Sequence, residues 1–285
     1  MGYKGILIPI GGNEDKGALS GEENSLDYVK EGVLSQVVKL SGGKDAKILV
    51  ITTASQIPEE VGTNYIAAFD RLHCTNIHVL NIRKPADAES IENIQHIKTA
   101  DGVMLSGGDQ SRIVDIIGGS TFHTILKYRF QNDPIVIAGT SAGAMCMSSE
   151  MIAGGSASEA LLKGSVKMRE GMDFIPSLII DSHFFQRGRF GRLAEAVAMH
   201  PHLLGVGIAE DTGLIIRNAN EFTVIGSGMI IIFDPSNLEH NNVEILEKGT
   251  PMTVANLSVH VLANGDSFNI ENRSIKVLEI DAEFI

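Results

Sequence analysis

The sequence predicts an α/β fold with a mostly parallel central sheet. From Lys4 to about Leu204, short β-branched runs alternate with longer segments that have helical spacing. Several of these runs are apolar throughout, as is typical of strands that are covered on both faces. After Gly205 the pattern changes to short strands that follow one another through turn residues. Alternating β and α segments imply parallel strands joined by right-handed crossovers.

The elements predicted in the first part are strands and helices in turn. The strands are Gly5–Ile10, Lys47–Ile51, Asn76–Leu80, Gly102–Leu105, Ile135–Ala138 and Leu178–Ile180. The helices are Leu26–Leu40, Pro58–Leu72, Asp87–Ile97, Ser111–Ile117, Thr121–Phe130 and Arg189–Met199.

The C-terminal part is predicted to be rich in antiparallel strands, namely Gly213–Ile216, Glu221–Ile225, Met229–Phe233, Ser258–Leu262 and Ser274–Glu279. Asn264-Gly265 predicts a hairpin turn. No Pro/Gly/Ser linker separates the two parts of the chain, so we expect residues 1–285 to form a single domain with a strand-rich extension from about residue 205.

Composition narrows the classes of partner. The 285 residues include 35 acidic and 23 basic side chains, a net charge of −12, which argues against binding to nucleic acid or to an anionic membrane. The first apolar stretch, Ile6 to Ile10, is too short for a signal peptide or a membrane span, which predicts a cytoplasmic protein. Cys74 and Cys146 form neither a disulfide framework nor a zinc-like spacing, and we expect no metal.

A G-x-S-x-G motif, Gly139-Thr140-Ser141-Ala142-Gly143, lies between an apolar strand and a helix-forming segment. A serine in that context sits on a tight bend with its hydroxyl exposed, and the pattern therefore predicts a nucleophile elbow. The alternative is a Gly/Ser turn that only closes a βα unit. The N–H groups of Gly108 and Ala142 are the predicted oxyanion hole, because Gly107-Gly108 carries no side chains that would obstruct it.

His183 follows the strand Leu178–Ile180 at the sheet edge where ligands of open α/β sheets bind. Imidazole titrates near neutral pH, so His183 is the predicted base for Ser141; the alternative is a turn histidine. A carboxylate must orient the imidazole, and both Glu159 and Asp181 are candidates that spacing alone does not separate.

Polar residues near these positions predict substrate contacts. Gln110 either binds substrate or caps the helix that starts there. Three arginines follow the histidine, and arginine forks bind carboxylates, although at least one is expected to pair with the protein's own acids. They are Arg187, Arg189 and Arg192.

Four motifs over roughly residues 5 to 215 resemble those of the cyanophycinases of peptidase family S51, a family that also includes aspartyl dipeptidase. They are Gly11-Gly12-x-Glu14-Asp15-Lys16, Gly107-Gly108-Asp109-Gln110, Gly139-Thr140-Ser141-Ala142-Gly143-Ala144, and Asp181-x-His183-Phe184-x-x-Arg187-x-Arg189-x-x-Arg192-Leu193. The resemblance implies a three-layer sandwich like that of class I glutamine amidotransferases, usually in a homodimer.

The resemblance also implies a serine exopeptidase that hydrolyses cyanophycin, a polyaspartate whose side-chain carboxyls carry arginine through isopeptide bonds. The products would be β-Asp-Arg dipeptides, released through an acyl-enzyme on Ser141 without metal or cofactor. Carried over by motif, Ser141 would be the nucleophile, His183 the base and Glu159 the acid. Gln110, Asp181, Arg187 and Arg189 would bind substrate. The alternatives are an aspartyl dipeptidase-like serine peptidase and a non-enzymatic binding module on the same scaffold.

Overall fold

The computed structural model describes residues 2–17, 26–155, 161–283 and 285. Its strands are β1 (Ile6–Ile10), β2 (Ile48–Ile51), β3 (Ile77–Leu80), β4 (Gly102–Leu105), β5 (Val136–Thr140), β6 (Glu150–Gly155), β7 (Val166–Glu170), β8 (Leu178–Asp181), β9 (Leu204–Ile208), β10 (Thr212–Arg217), β11 (Glu221–Gly226), β12 (Met229–Asp234), β13 (His240–Asn241), β14 (Val254–Ala255), β15 (Ser258–Ala263), β16 (Ser267–Asn269) and β17 (Ile275–Lys276). Its α-helices are α1 (Val33–Leu40), α2 (Pro58–Arg71), α3 (Pro85–Ala88), α4 (Ile91–Thr99), α5 (Gln110–Ile117), α6 (Thr121–Asn132), α7 (Ala142–Met145) and α8 (Phe190–Met199).

The central sheet has nine strands in the order β17-β16-β11-β10-β1-β5-β4-β2-β3. Strands β1, β5, β4, β2 and β3 pair in parallel, so their carboxyl ends lie at one edge. On the other side of β1, strands β10, β11, β16 and β17 pair antiparallel. The predicted α/β fold, with a parallel core and C-terminal antiparallel strands, is confirmed.

Helices cover both faces of the parallel strands. Leu49 and Ile51 of β2 enter one hydrophobic cluster, and their neighbours Ile48 and Val50 enter a second, as the two-residue period of a strand requires. Side chains of α4, α5 and α6 complete the first cluster, and side chains of α1 and α2 complete the second. Both faces of the inner strands β1, β5, β4 and β2 are therefore covered, which explains their almost continuous apolar runs. The edge strand β3 is only partly buried.

A second sheet of four strands has the order β15-β12-β9-β8. The expectation that Leu178–Ile180 belongs to the central sheet is wrong, because Leu178 pairs in parallel with Leu204 of β9. The sequence period identifies a strand but not its partner. Ile179, Val206 and Ile232 of this sheet lie in the same hydrophobic cluster as Leu49, so the second sheet shares the core of the first.

The predicted turn at Asn264-Gly265 is present, and Gly265 adopts a φ of 84°. The strands on either side of it do not pair with each other, however. Strand β15 pairs with β12 of the second sheet, and β16 pairs with β11 of the central sheet. The prediction of a hairpin is therefore wrong, since this turn carries the chain from one sheet to the other.

Two helices differ from their predicted limits. The helix predicted at Leu26–Leu40 begins only at Val33. The segment Asp87–Ile97 forms two helices, because the Ser90 hydroxyl accepts a hydrogen bond from the Asn93 N–H at 3.2 Å and so begins a new helix. Among the helices in the described ranges, none is both long and apolar enough to span a bilayer.

Candidate active site

Ser141 lies between the end of β5 and the start of α7, in a strained backbone conformation with φ 50° and ψ −107°. Its N–H donates to the Ile10 carbonyl of β1 at 2.9 Å, which fixes the bend. A side chain at Gly143 would place its Cβ 2.3 Å from the Leu105 carbonyl oxygen, so only glycine fits there. These are the features of a nucleophile elbow.

His183 approaches Ser141 from the second sheet. It follows β8, and its Nε2 lies 2.9 Å from the Ser141 Oγ. Its backbone, at φ 46°, donates an N–H to the Gly11 carbonyl at 2.7 Å and so ties the loop after β1 to the histidine. Gly12 is packed against the ring, since a Cβ there would lie 2.3 Å from the imidazole. The histidine is held in place from both sheets.

Glu210 supplies the carboxylate at the other nitrogen of the ring. Its Oε1 lies 2.6 Å from the His183 Nδ1, and its Oε2 accepts from the Asn13 amide at 3.2 Å. It stands in the turn between β9 and β10, and its side chain is 26% exposed. A carboxylate at Nδ1 places the proton there and leaves Nε2 free to accept the serine proton.

The two acids predicted from sequence have different outcomes. Glu159 lies outside the described residues, so its assignment stays a prediction. Asp181 does not orient the histidine. It is fully buried, its Oδ2 accepts from the Arg192 Nε at 2.9 Å, and its Oδ1 accepts from Arg189 at 3.0 Å. The His183 Nδ1 carries one proton, and Glu210 lies within hydrogen-bond distance of it. The interpretation of Asp181 as the orienting acid is therefore corrected: Asp181 binds and anchors two arginine side chains.

The two residues whose N–H groups are the predicted oxyanion donors, Gly108 and Ala142, lie close to Ser141. Gly107 and Gly108 line the same cavity as Ser141, and the φ of Gly108 is 140°. A Cβ at Gly108 would lie 2.2 Å from the Ala54 carbonyl oxygen, so the turn requires glycine. Within the described ranges, neither the Gly108 nor the Ala142 N–H donates to a protein acceptor, which leaves both available to a ligand oxygen.

Comparison with known proteins adds an independent observation. The sequence profile of peptidase family S51 matches residues 18–224, a range that includes Ser141, His183 and Glu210. The chain is 35% identical over 272 residues to a cyanophycinase from Trichormus variabilis, which spans 95% of this chain and 88% of that protein. The chain belongs to peptidase family S51. A cyanophycinase from Synechococcus elongatus is 31% identical to this S51 peptidase over 275 residues, 96% of this chain and 82% of that one.

A solved structure shares the fold of this S51 chain. It is the crystal structure of a peptidase from an acI-B1 actinobacterium, with a TM-score of 0.62 and 19% sequence identity. The match spans 92% of this chain and 97% of that one. The S51 chain therefore shares its fold with that protein along nearly its whole length.

The predicted substrate contacts of the S51 chain divide into exposed and buried groups. Arg187 is exposed and lines the cavity beside Ser141 and His183. Arg189 is mostly buried, and its Nη1 donates to Asp181 at 3.0 Å and to the Ser182 carbonyl at 2.6 Å. Asp181 has no exposed surface, and its carboxylate accepts from Arg189, Arg192 and the Ser182 N–H, so the prediction that it touches substrate is corrected.

Gln110 does not cap its helix. The cap is the Asp109 side chain, which accepts from the Ser111 N–H at 2.8 Å. The Gln110 amide instead donates to the Ile152 carbonyl of β6 at 2.8 Å. Gln110 is half-buried and is not among the described residues that line the cavity beside Ser141, so its contact with substrate stays a prediction.

The cavity beside Ser141 has a volume of about 460 Å³ and is walled by the loop after β1, helix α2 and the elbow. Glu14 in that wall is 4% exposed and accepts from Tyr65 and Thr140, both at 2.5 Å. Burial opposes its ionisation, but the Lys16 ammonium and hydrogen bonds from Lys16, Thr140 and Tyr65 outweigh that effect and hold its pKa below the ordinary value. Glu14 is thus an ionised, buried group at the active site of this S51 chain.

The residue that sequence reasoning missed is Glu210. It follows the strand Leu204–Ile208, whose two glycines make it look like a loop. Gly207 is needed because a Cβ there would lie 2.4 Å from the Phe184 ring. The signal available was the same one that selected His183, namely a polar turn directly after an apolar run.

Proposed function

We propose that this chain is a serine exopeptidase that hydrolyses cyanophycin to β-Asp-Arg dipeptides. The observation that carries the proposal is the hydrogen-bonded series from Ser141 through His183 to Glu210, at distances of 2.9 and 2.6 Å. Two cyanophycinases at 31–35% identity over most of the chain support the choice of polymer. An exposed arginine beside the nucleophile suits a substrate that carries free carboxylates.

The proposed reaction starts when the Ser141 Oγ attacks a main-chain amide carbonyl of the polymer. Its proton passes to the His183 Nε2, and Glu210 stabilises the imidazolium that forms. The oxygen that becomes negative is bound by the N–H groups of Gly108 and Ala142. The carbon–nitrogen bond then breaks, and the same proton passes from His183 to the leaving amine, which leaves an acyl ester on Ser141.

The second half of the reaction uses water in place of the amine. His183 takes a proton from a water molecule, whose oxygen attacks the ester carbonyl. Collapse of this intermediate breaks the bond to the Ser141 oxygen, and the proton returns from His183 to that oxygen. The products are a free carboxylic acid and the original enzyme, so no oxidant or reductant is consumed.

The test is incubation of purified cyanophycin with the protein, followed by mass spectrometry of the soluble products. We expect β-Asp-Arg from the wild type and none above background from Ser141→Ala. If the wild type leaves cyanophycin intact and hydrolyses Asp-Xaa dipeptides instead, the proposal is wrong and an aspartyl dipeptidase-like activity replaces it. If it hydrolyses neither, the site acts as a binding module.

The homodimer, the cytoplasmic location and the single-domain organisation remain predictions that accompany this proposal. Light scattering on the purified protein measures the first, since a dimer has twice the 30.6 kDa mass of the chain. Cell fractionation tests the second. Limited proteolysis tests the third, because a chain with one domain should show no preferred cleavage near residue 205.

A further inference from the structure

Two basic side chains besides the triad histidine line the cavity beside Ser141, namely Arg187 and Lys16. The proposed reaction does not use Lys16. Besides the triad histidine, the charged lining residues of the cavity in the described part of the chain are Glu14, Lys16 and Arg187. The Glu14 side chain is only 1% exposed, whereas that of Lys16 is 31% exposed. The Glu14–Lys16 pair therefore presents mainly its positive end to the cavity.

Glu14 has its hydrogen-bonding positions filled from within the protein. Its Oε1 accepts from the Tyr65 hydroxyl and from the Lys16 Nζ at 2.8 Å, and its Oε2 accepts from the Thr140 hydroxyl. Thr140 directly precedes the nucleophile and Tyr65 lies on α2. A buried carboxylate that already accepts from three donors has little capacity left to bind a cationic group of a ligand. Glu14 therefore serves to position its neighbours Lys16, Tyr65 and Thr140.

Lys16 is held in place by these contacts. Its ammonium donates to the Glu14 Oε1 at 2.8 Å and to the Glu14 main-chain oxygen at 3.4 Å, and it lies 5.2 Å from the centre of the Tyr65 ring. An ammonium has three N–H donors, so these two bonds leave one available. Ordering a free lysine side chain costs conformational entropy, and here the fold already provides much of that order.

We propose that Lys16 is a specificity-determining residue that binds a carboxylate of the substrate unit in the cavity, with Arg187 binding a second one. The inference deepens the proposed function and rests on it. Each unit of cyanophycin carries a free carboxylate on its arginine, and the end of the main chain carries another. Two carboxylates on the terminal unit match the two cations that line the cavity.

The test compares short cyanophycin oligomers in which one terminal carboxylate is free or converted to an amide. The readout is the ratio of kcat/KM between the free and the amidated substrate, measured separately for the two carboxylates. We expect the wild type to prefer each free acid by about tenfold, the size of one charge-assisted hydrogen bond. Lys16→Met should remove the preference at one carboxylate, and Arg187→Met should remove it at the other.

Two further variants separate recognition from damage to the fold. Lys16→Arg keeps the charge and should retain most of the preference. The double variant Glu14→Gln/Lys16→Met avoids an unpaired buried carboxylate and should lose the same preference as Lys16→Met. Lys98→Met, on the exposed side of α4, is the matched control and should behave as wild type.

The result that overturns the assignment is a Lys16→Met variant that loses kcat/KM equally on free and amidated substrates, or loses none. Equal loss would mean that Lys16 serves only the structure. If the wild type hydrolyses no cyanophycin oligomer at all, both the proposed function and this assignment fall. If it hydrolyses them and Lys16→Met keeps both preferences, only this assignment falls.

Discussion

Replacing Glu210 by glutamine tests the contact that sequence analysis missed. The change removes one negative charge and keeps both the size of the side chain and an acceptor for the His183 Nδ1. With 2.6 Å between Nδ1 and Oε1, the centres of charge of the imidazolium and the carboxylate lie about 4 Å apart. At an effective dielectric constant of about 20, that separation corresponds to about 4 kcal/mol of stabilisation for the imidazolium.

This stabilisation exists only while the serine proton is on His183, so its loss raises the barrier of the chemical step. A loss of about 4 kcal/mol predicts a fall in kcat of about 10³-fold. The assay is release of β-Asp-Arg from cyanophycin, with circular dichroism to check the fold. Glu221→Gln, at the exposed start of β11, is the matched control and should retain wild-type activity.

Glu159→Gln is the decisive comparison, because the family resemblance gave that residue the role which the geometry favours for Glu210. We expect Glu159→Gln to stay within a few-fold of wild type. A Glu210→Gln variant within tenfold of wild type, together with a 10³-fold loss in Glu159→Gln, would refute the assignment of Glu210.

Three further predictions follow from the geometry. Gly12→Ala places a methyl group 2.3 Å from the His183 ring and should lower kcat by about 10²-fold in stopped assays, with folding unchanged by circular dichroism. Asp181→Asn removes the buried charge between Arg189 and Arg192 and should lower the free energy of unfolding in urea by about 3–5 kcal/mol; a loss below 1 kcal/mol would contradict the anchor role. The Glu14 pKa lies below its ordinary value of 4.5, so its stabilisation is complete above that pH and is lost as the pH falls through the folded-state value. Glu14→Gln should therefore be about 2 kcal/mol less stable at pH 7 and flatter in stability below pH 4.5 by urea titration, whereas parallel wild-type and variant curves would argue against an ionised Glu14.

Much of the parallel half of the fold is predictable because its inner strands β1, β5, β4 and β2 are buried on both faces, whereas the edge strand β3 is only partly buried. Such strands read as continuous apolar runs, and the one that ends in Gly139-Thr140-Ser141 is followed by a turn with a chemical signature of its own. The position of His183 was predictable for the same reason. The strand that pairs with β8, which precedes His183, was not predictable. Strand β8 pairs with β9 in a second sheet, and an apolar run does not indicate which strand it will pair with.

The acid of the site was the hardest part to predict. Glu210 lies 27 residues from His183 in sequence and comes close only because β8 and β9 are adjacent and parallel. Asp181 is the acid nearest to the histidine in sequence, yet burial makes it a partner of two arginines. Sequence distance is a poor guide to which carboxylate reaches an imidazole, because strand pairing decides it.

The arginine cluster shows what local pattern can and cannot assign. The expectation that at least one of the three arginines pairs with the protein's own acids is confirmed, since Arg189 and Arg192 both bind Asp181. Only Arg187 remains exposed to the cavity. The conformation of the turn after β8 decides which arginines are buried against Asp181 and which one faces the cavity. The hydrophobic periodicity of the sequence does not predict the conformation of that turn.

Covalent labelling tests the central claim most directly, namely that the Ser141 hydroxyl is activated by His183. Intact-mass analysis after treatment with a serine-directed phosphonate should find one label per chain, and peptide mapping should locate it on Ser141. His183→Ala should label at least 10²-fold more slowly. A folded wild-type protein that takes up no label, or takes it up at another residue, would contradict the account.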